Sequence, residues 1–419
     1  MTSDRRRAAA LCCVLVLGIA GLMTFQTLIP TIMPLWGLSS TEAGFVAAVG
    51  FAAYAVVAPV VVALTDRIDA RRVVATGLLL STVSGLGFAL AADGFWSALL
   101  WRLLGGLGMA ATYMPGLKAL TDRVHGPELG RLQSFYTASY SVGTAASVFA
   151  AGVAADLAGW RAAFVVSGLL PALALVLLLL ALRPVTLPPH PAGAGFLDPR
   201  PVLRDRPAMA YIWGYAGHCF ELFGFRTWMV AFLTFAAAHG GSEVQPSTIA
   251  LLVTGALLMG LPASVMGNER AMRGDRRATL SRLMPAAAMV GLLFGLGAWL
   301  PFWLLALAMA AYSALMMSDS AALTVGLVAA SPASRQGLSI GVQQLAGTAA
   351  AVAAPLLSGM ALDGLGRDNV LGWWAAFAIL ALGPLLGILT LRAMLPAAQD
   401  REAVNSVSSA GSRTAPSRK

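Results

Sequence analysis

"MAYIWGYAGHCFELFGFRTWMVAFLTFAAA", Met209 to Ala238, is an apolar run broken only by His218, Glu221 and Arg226. At 1.5 Å per residue it exceeds the roughly 30 Å hydrocarbon core of a bilayer. A helix apolar on every side over that length is either the heart of a large core or a membrane span. An ionisable side chain at bilayer depth costs roughly 2.5–3.5 kcal/mol on insertion scales, so three in one span mark it as more than a hydrophobic anchor.

The rest of the chain settles the choice. Of 419 residues, 58% are hydrophobic and 11% charged, with a mean hydropathy of +0.76. Soluble domains carry about 25% charged residues, so this composition excludes a water-soluble fold and predicts a polytopic, all-α membrane protein. Apolar stretches lie at about 8–36, 41–64, 72–91, 95–120, 132–155, 162–182, 208–237, 246–267, 282–300, 302–328, 338–362 and 371–393, which predicts twelve transmembrane helices. Arg5–Arg7 and the apolar run after them resemble a signal peptide. The run continues to Pro34 without a small-x-small cleavage site, so it reads as the first span.

Of 28 Lys and Arg, 23 fall at the two ends or in alternate loops. Arg161 and Arg367 lie in the opposite loops, and Arg102, Lys118 and Arg226 lie inside spans. This is the positive-inside distribution and places both termini in the cytoplasm. It accounts for the net charge of +9 without nucleic acid. The expected location is the plasma (inner) membrane. Cys12, Cys13 and Cys219 fall in spans, with neither a disulfide framework nor a metal-ligand spacing.

The halves repeat. Gly143-Thr-Ala-Ala146, Gly152-x-x-x-Asp156 and Trp160-Arg-Ala-Ala-Phe164 recur in order as Gly347-Thr-Ala-Ala350, Gly359-x-x-x-Asp363 and Trp373-Trp-Ala-Ala-Phe377. A same-direction repeat of six spans implies two pseudo-symmetric six-helix bundles about an axis along the membrane normal. Residues 1–182 form the first bundle and 208–395 the second. Residues 183–207 hold seven prolines and read as a cytoplasmic linker with no regular helix, and 396–419 as a disordered cytoplasmic tail. The loop Asp66-Arg67-Ile-Asp69-Ala-Arg71-Arg72 has its mate in Glu269-Arg270-Ala-Met-Arg273-Gly-Asp275-Arg276-Arg277. An acid at a helix end followed by spaced arginines can clamp a neighbouring helix N-terminus, so Asp66, Arg67, Arg71, Glu269 and Arg270 are the expected conformational switch.

With these features the chain resembles the major facilitator superfamily. The likeness rests on twelve spans, a central loop, "DRIDARR" after span 2 and Arg102-Leu-Leu-Gly105-Gly106 in span 4, and covers about residues 8–393. Val62 stands where that loop motif opens with Gly, Asp69-Ala70 replaces a later Gly, and span 5 lacks the Gly-Pro motif of the family's drug:proton antiporters. The resemblance implies that Arg102 takes a coupling or substrate role. It also implies that Gln26, Tyr54, Tyr113, Tyr136, Tyr140, Gln343 and Gln344 lie on cavity-lining helices.

In span 7, Tyr211, Tyr215, His218 and Glu221 follow an i, i+4, i+7, i+10 stripe with Arg226 flanking it. Three readings stay open: a substrate and proton site between the halves, an internal salt bridge stapling the span, or for Arg226 an outer gate. The substrate candidates are Arg226, His218, Tyr215, Arg102, Gln26, Tyr54, Tyr140 and Gln343. Glu221 and Asp319 are the proton-coupling candidates, with Asp319 alternatively a partner for Lys118, which can also snorkel to water. Trp36, Trp96, Trp373 and Trp374 read as interfacial belts.

No enzyme signature, metal site or cofactor motif is present, so energy must come from a gradient. The expectation is a monomeric secondary transporter, working by alternating access on a small organic or inorganic anion with protons. The alternatives are proton-antiport export of hydrophobic or cationic compounds and, in another class, a non-transporting membrane receptor.

Overall fold

The computed structural model describes residues 3–126, 128–185 and 198–395, and no strand occurs among them. The helices are α1 Ser3–Gly18, α2 Thr24–Trp36, α3 Ser40–Leu64, α4 Ala70–Ala91, α5 Phe95–Thr121, α6 Leu129–Ala181, α7 Arg200–Leu203, α8 Arg206–His239, α9 Pro246–Arg273, α10 Arg276–Phe294, α11 Phe302–Met317, α12 Ser320–Ala330, α13 Gln336–Leu365 and α14 Val370–Met394. Among the described residues nine helical stretches are long and apolar enough to cross a membrane. One of them, α6, is two helices joined at Ala158 and Gly159, where Gly159 takes φ +82°. That left-handed turn is open to glycine at no steric cost. The other expected crossings, α1–α2 and α5, are present as helices outside that set.

Three expectations need correction. The first span is not continuous, because the helix breaks between Gly18 and Thr24. The tenth breaks at Ser318–Asp319. Inside the expected linker, α7 makes one helical turn, and α8 already starts at Arg206, where Asp205 caps it by accepting from the Ala208 N–H at 3.2 Å. Residues 186–197 and the tail 396–419 lie outside the described residues.

The repeated glycines make matching contacts. At Gly143 a Cβ would strike Ile19, just past α1, and come within 3.1 Å of Val16 Cα of α1, and at Gly347 it would strike Tyr215 of α8. Gly152 abuts Ala250 of α9, while Gly359 abuts the Ser40 carbonyl of α3. Each pair bonds equivalent helices in the two halves, as a duplicated bundle requires.

Packing between the halves is lopsided. On the side away from the termini one apolar cluster joins both: Phe25, Ile29 and Ile32 of α2 with Trp228 and Phe232 of α8 and Phe377 of α14. Helices α3 and α13, α6 and α9, and α2 and α8 are in contact. On the side of the termini two clusters stand apart. One holds Leu11, Leu15, Leu120 and Leu178; the other holds Ile212, Leu280, Leu327 and Leu391. The molecule is therefore held shut at one end by shared apolar burial, and each half keeps its own core at the other. Trp373 belongs to the shared cluster at 3% exposure, and its indole N–H donates to the Arg367 carbonyl at 2.8 Å. It is core, unlike Trp96, which is 79% exposed.

Candidate functional site

The polar stripe of α8 meets the broken tenth crossing. His218 Nδ1 lies 2.7 Å from Asp319 Oδ1, both side chains 1% exposed. Neither atom has an aligned hydrogen bond, so the pair is close but not in line. One turn further along, Glu221 Oε1 accepts from the Tyr312 hydroxyl at 2.7 Å, and Oε2 is buried without a partner. Tyr312 and Asp319 are seven residues apart, two helical turns, and α8 runs past them antiparallel. The spacing His218–Glu221 on one helix thus answers Tyr312–Asp319 on the other. Ser318–Asp319 interrupts the helix where it packs on α9: the Ser318 carbonyl sits where a side chain at Gly267 would be.

Arg226 takes a different direction. It is 7% exposed, and its guanidinium carbon lies 5.9 Å from the Phe223 ring centroid. Phe223 in turn packs edge-on against Phe51 of α3 in the other half, with centroids 4.8 Å apart. The charge is within electrostatic reach of Tyr140 on α6 and of Cys219 and Tyr215 on its own helix. Among the described residues no carboxylate lies within 4 Å of it. The expected grouping of His218, Glu221 and Arg226 therefore divides. Glu221 and the imidazole turn into the second half, whereas the guanidinium turns toward the first. Glu221 is held by Tyr312, not by Arg226.

Around Arg226 the first half presents tyrosines. Tyr113 and Tyr140 have ring centroids 4.9 Å apart, Tyr54 is in electrostatic reach of both, and the Tyr136 hydroxyl donates to the Tyr113 carbonyl at 2.8 Å. Gln26 and Gln343 are buried with both amide atoms unpartnered. A buried amide without partners costs about 1–3 kcal/mol, which marks both as groups awaiting something polar.

The other two intramembrane cations lie away from α8. Lys118 pairs with Asp122 at 2.5 Å, so Asp319 is not its partner. Arg102 donates to the Gly21 and Leu22 carbonyls at 3.4 Å, in the break between α1 and α2. Those carbonyls are left free by the interrupted helix, and the guanidinium meets them inside the first half.

In the two repeated loops, the acids that cap the following helices are Asp69 and Asp275. Asp69, not Asp66, caps α4 by accepting from the Arg71 N–H at 3.0 Å, accepts from the Val185 N–H at 2.9 Å and pairs with Arg123 at 2.8 Å. Burial pushes its carboxyl up, but Arg123 and the two backbone donors outweigh that and hold it below the usual carboxylate range. Asp66 and Arg67 are exposed. In the second half Asp275 caps α10 through the Ala278 N–H at 3.2 Å, while Glu269 makes only the exposed pair with Arg273. The acid nearest the following helix is the one that caps, because only it reaches the first-turn N–H groups. Sequence reasoning missed Tyr312, Arg123, Asp363 and Ser358, whose hydroxyl accepts from the Trp228 indole N–H at 2.8 Å. Of these, Tyr312 had a readable signal in its seven-residue spacing to Asp319.

The sequence profile of the Major Facilitator Superfamily matches residues 11–325. The chain belongs to that superfamily. Solved structures agree on its fold. A bacterial homolog of the human lysosomal transporter Spinster, in an inward-facing and occupied conformation, superposes with a TM-score of 0.73 at 17% identity, covering 96% of both chains. The nucleoside transporter NupG gives 0.71 at 14% identity, over 94% of this chain and 100% of that one. Among curated relatives, the probable hexose phosphate transport protein of Chlamydia muridarum is 26% identical over 35% of this chain and 32% of its own. Protein spinster homolog 1 of Homo sapiens is 25% identical over 54% and 45%. The niacin transporter NiaP of Acinetobacter baylyi is 24% identical over 66% and 68%. The match thus spans less than half the length of the first two. As a superfamily member the chain is a multi-pass membrane protein of a transporter family.

Proposed function

We propose that this superfamily member is a proton-coupled secondary transporter of a small organic or inorganic anion, working by alternating access between its two halves. The observation that carries the reading is the division on α8. A buried cation without a carboxylate faces the tyrosines of the opposite half, while Glu221 and His218 of the same helix meet the Tyr312 hydroxyl and Asp319 of the broken tenth crossing. Arg226 offers a planar fork suited to a carboxylate or phosphate. Tyr140 and Tyr215 lie within its electrostatic reach, and Gln26, Gln343 and Tyr54 are the further neutral polar candidates. Glu221, through its open Oε2, and Asp319, through His218, are the groups that exchange protons.

Two relatives support the anion. Hexose phosphate and niacin, named for the Chlamydia and Acinetobacter proteins, are both anions at neutral pH. Cation surplus in the basic loops supports cytoplasmic termini in the plasma membrane. With that orientation, the end closed by the shared apolar cluster is the outer one, so the conformation described is inward-facing. Asp69 with Arg71 and Arg123, and Asp275 with Arg277, act on the cytoplasmic side as the conformational clamp.

The test is uptake by proteoliposomes of a panel of radiolabelled carboxylates and phosphates, with and without an imposed pH gradient. Accumulation of one member, driven by the gradient and abolished by Arg226→Ala, supports the reading. Flux limited to hydrophobic cations would replace it with proton-antiport export, and ligand binding without flux under any gradient would favour a receptor.

A further inference from the structure

The Arg102 site is separate from the one just described. The guanidinium is 9% exposed and sits at a cavity lined entirely by the first half, including Gly18, Gly50, Ser81, Ser84 and Ser167. The space open to water centres is about 60 Å³, several times the roughly 10–15 Å³ one water needs. Of five guanidinium donors, Nη1 and Nη2 make only 3.4 Å contacts with the Gly21 and Leu22 carbonyls. Nε is buried with no partner. No carboxylate among the described residues lies within ion-pair distance. Two carbonyl dipoles at long range do not offset a unit charge removed from water, whose effective cost is several kcal/mol.

We infer that this cavity binds a small monovalent anion, halide- or formate-sized, as the counter-charge of Arg102. Ser84 and Ser167 already donate their hydroxyls to the Trp101 and Phe164 carbonyls, at 2.7 and 2.8 Å. Arg102 is therefore the main recognition group, with the Ser81 hydroxyl on the same wall. The cavity excludes larger anions by size, since Phe51, Phe88 and Phe164 also line it. The ion sits against the break in the first crossing. Occupancy therefore stabilises the unwound stretch between Gly18 and Thr24, because it completes the charge that holds those carbonyls.

The experiment uses the full-length protein purified in detergent with gluconate as the only anion. Thermal unfolding is followed while chloride, bromide, formate or sulfate replaces gluconate at constant ionic strength. Saturable stabilisation of about 3 °C by the first three and none by sulfate is expected. It should be lost in Arg102→Gln, weakened in Ser81→Ala and retained in Arg226→Lys. The last arm separates this site from the proposed cargo site. Equal slopes for all salts, unchanged in Arg102→Gln, would mean the cavity holds water only and would overturn the inference. If Arg102→Gln does not fold, bromide anomalous scattering from the wild-type protein decides: a peak against the guanidinium supports the site, and its absence refutes it.

Discussion

Asp363 offers the sharpest handle on the conformational equilibrium. It sits at the end of α13, in the second half, and caps α3, in the first. It accepts from the Ser40 N–H at 2.7 Å, the Thr41 N–H at 2.8 Å and the Thr41 hydroxyl at 2.6 Å. The next donor of that turn, the Glu42 N–H, is taken by Ser39 Oγ at 3.1 Å. The first turn of α3 is thus completed by a carboxylate from the other half. Arg367 adds a 3.3 Å contact to the Leu38 carbonyl. These bonds exist only while this end is shut, so Asp363→Asn should penalise the closed arrangement alone. Losing a cap costs roughly 0.5–2 kcal/mol and losing a charge at a helix N-terminus roughly 0.3–1. Asp363 is exposed, so the low end applies. At about 1 kcal/mol the equilibrium shifts about fivefold toward opening. The repeat mate gives the control: Asp156 is exposed and makes no hydrogen bond among the described residues, and α9 begins at Pro246, which has no N–H to cap. A cysteine placed at buried Leu28 in a background lacking Cys12, Cys13 and Cys219 reports opening by its reaction with an impermeant maleimide. The rate should rise about fivefold in Asp363→Asn and stay unchanged in Asp156→Asn. No change in the first, or equal change in both, refutes the latch.

Other outcomes follow from the same geometry. Glu221→Gln should retain cargo exchange in counterflow but lose accumulation driven by a pH gradient. Wild-type accumulation would make Glu221 a structural group. Arg226→Lys keeps the charge and loses the fork, so equilibrium binding of the carboxylate or phosphate cargo should weaken about tenfold or more while thermal stability changes little. Tyr312→Phe removes the hydroxyl that donates to Glu221 Oε1 and should destabilise by about 1–3 kcal/mol, with a pH profile of flux displaced from wild type. Asp69 is held below its ordinary range by Arg123 and backbone donors, so it stabilises the fold at neutral pH. That contribution is present above the ordinary carboxylate range and fades as pH falls through the folded value. Asp69→Asn should lower thermal stability near pH 7 and flatten this acid limb in unfolding scans.

What the sequence made legible follows the strength of each physical signal. Spans are set by apolar length, which α3, α4 and α14 carry without competing features, and they appear where expected. The Gly143 and Gly347 repeats were readable because close packing on α1 and α8 tolerates nothing larger. Breaks were not readable. The stretch 19–23 is as apolar as its flanks, and the group that meets its free carbonyls, Arg102, is distant in sequence and adjacent only after folding. The switch acids were placed one helical turn early, because a loop carrying both Asp66 and Asp69 does not say which oxygen reaches the first-turn donors of α4. At α8 the periodicity correctly put His218 and Glu221 on one face. Which neighbour that face met, α11–α12 or the opposite half, is a property of bundle packing and not of the helix.

The two halves spend their intramembrane charge differently despite their common origin. In the first, the interrupted crossing is α1–α2 and the group at the break is Arg102, which meets backbone carbonyls. In the second, the interrupted crossing is α11–α12 and the group at the break is Asp319, which meets an imidazole. A guanidinium keeps its charge at any physiological pH, so the first break is permanently cationic. The second break instead carries a carboxylate set against an imidazole. An interrupted helix is also where a span can change its course with fewest hydrogen bonds to break. Under the proposed proton coupling, a proton taken at Asp319 would act on the interrupted tenth crossing, close to the Glu221–Tyr312 bond. Arg226 projects from the same helix toward the other half. Cargo held by Arg226 and a proton taken at Asp319 or Glu221 would bias one element, α8, from its two faces.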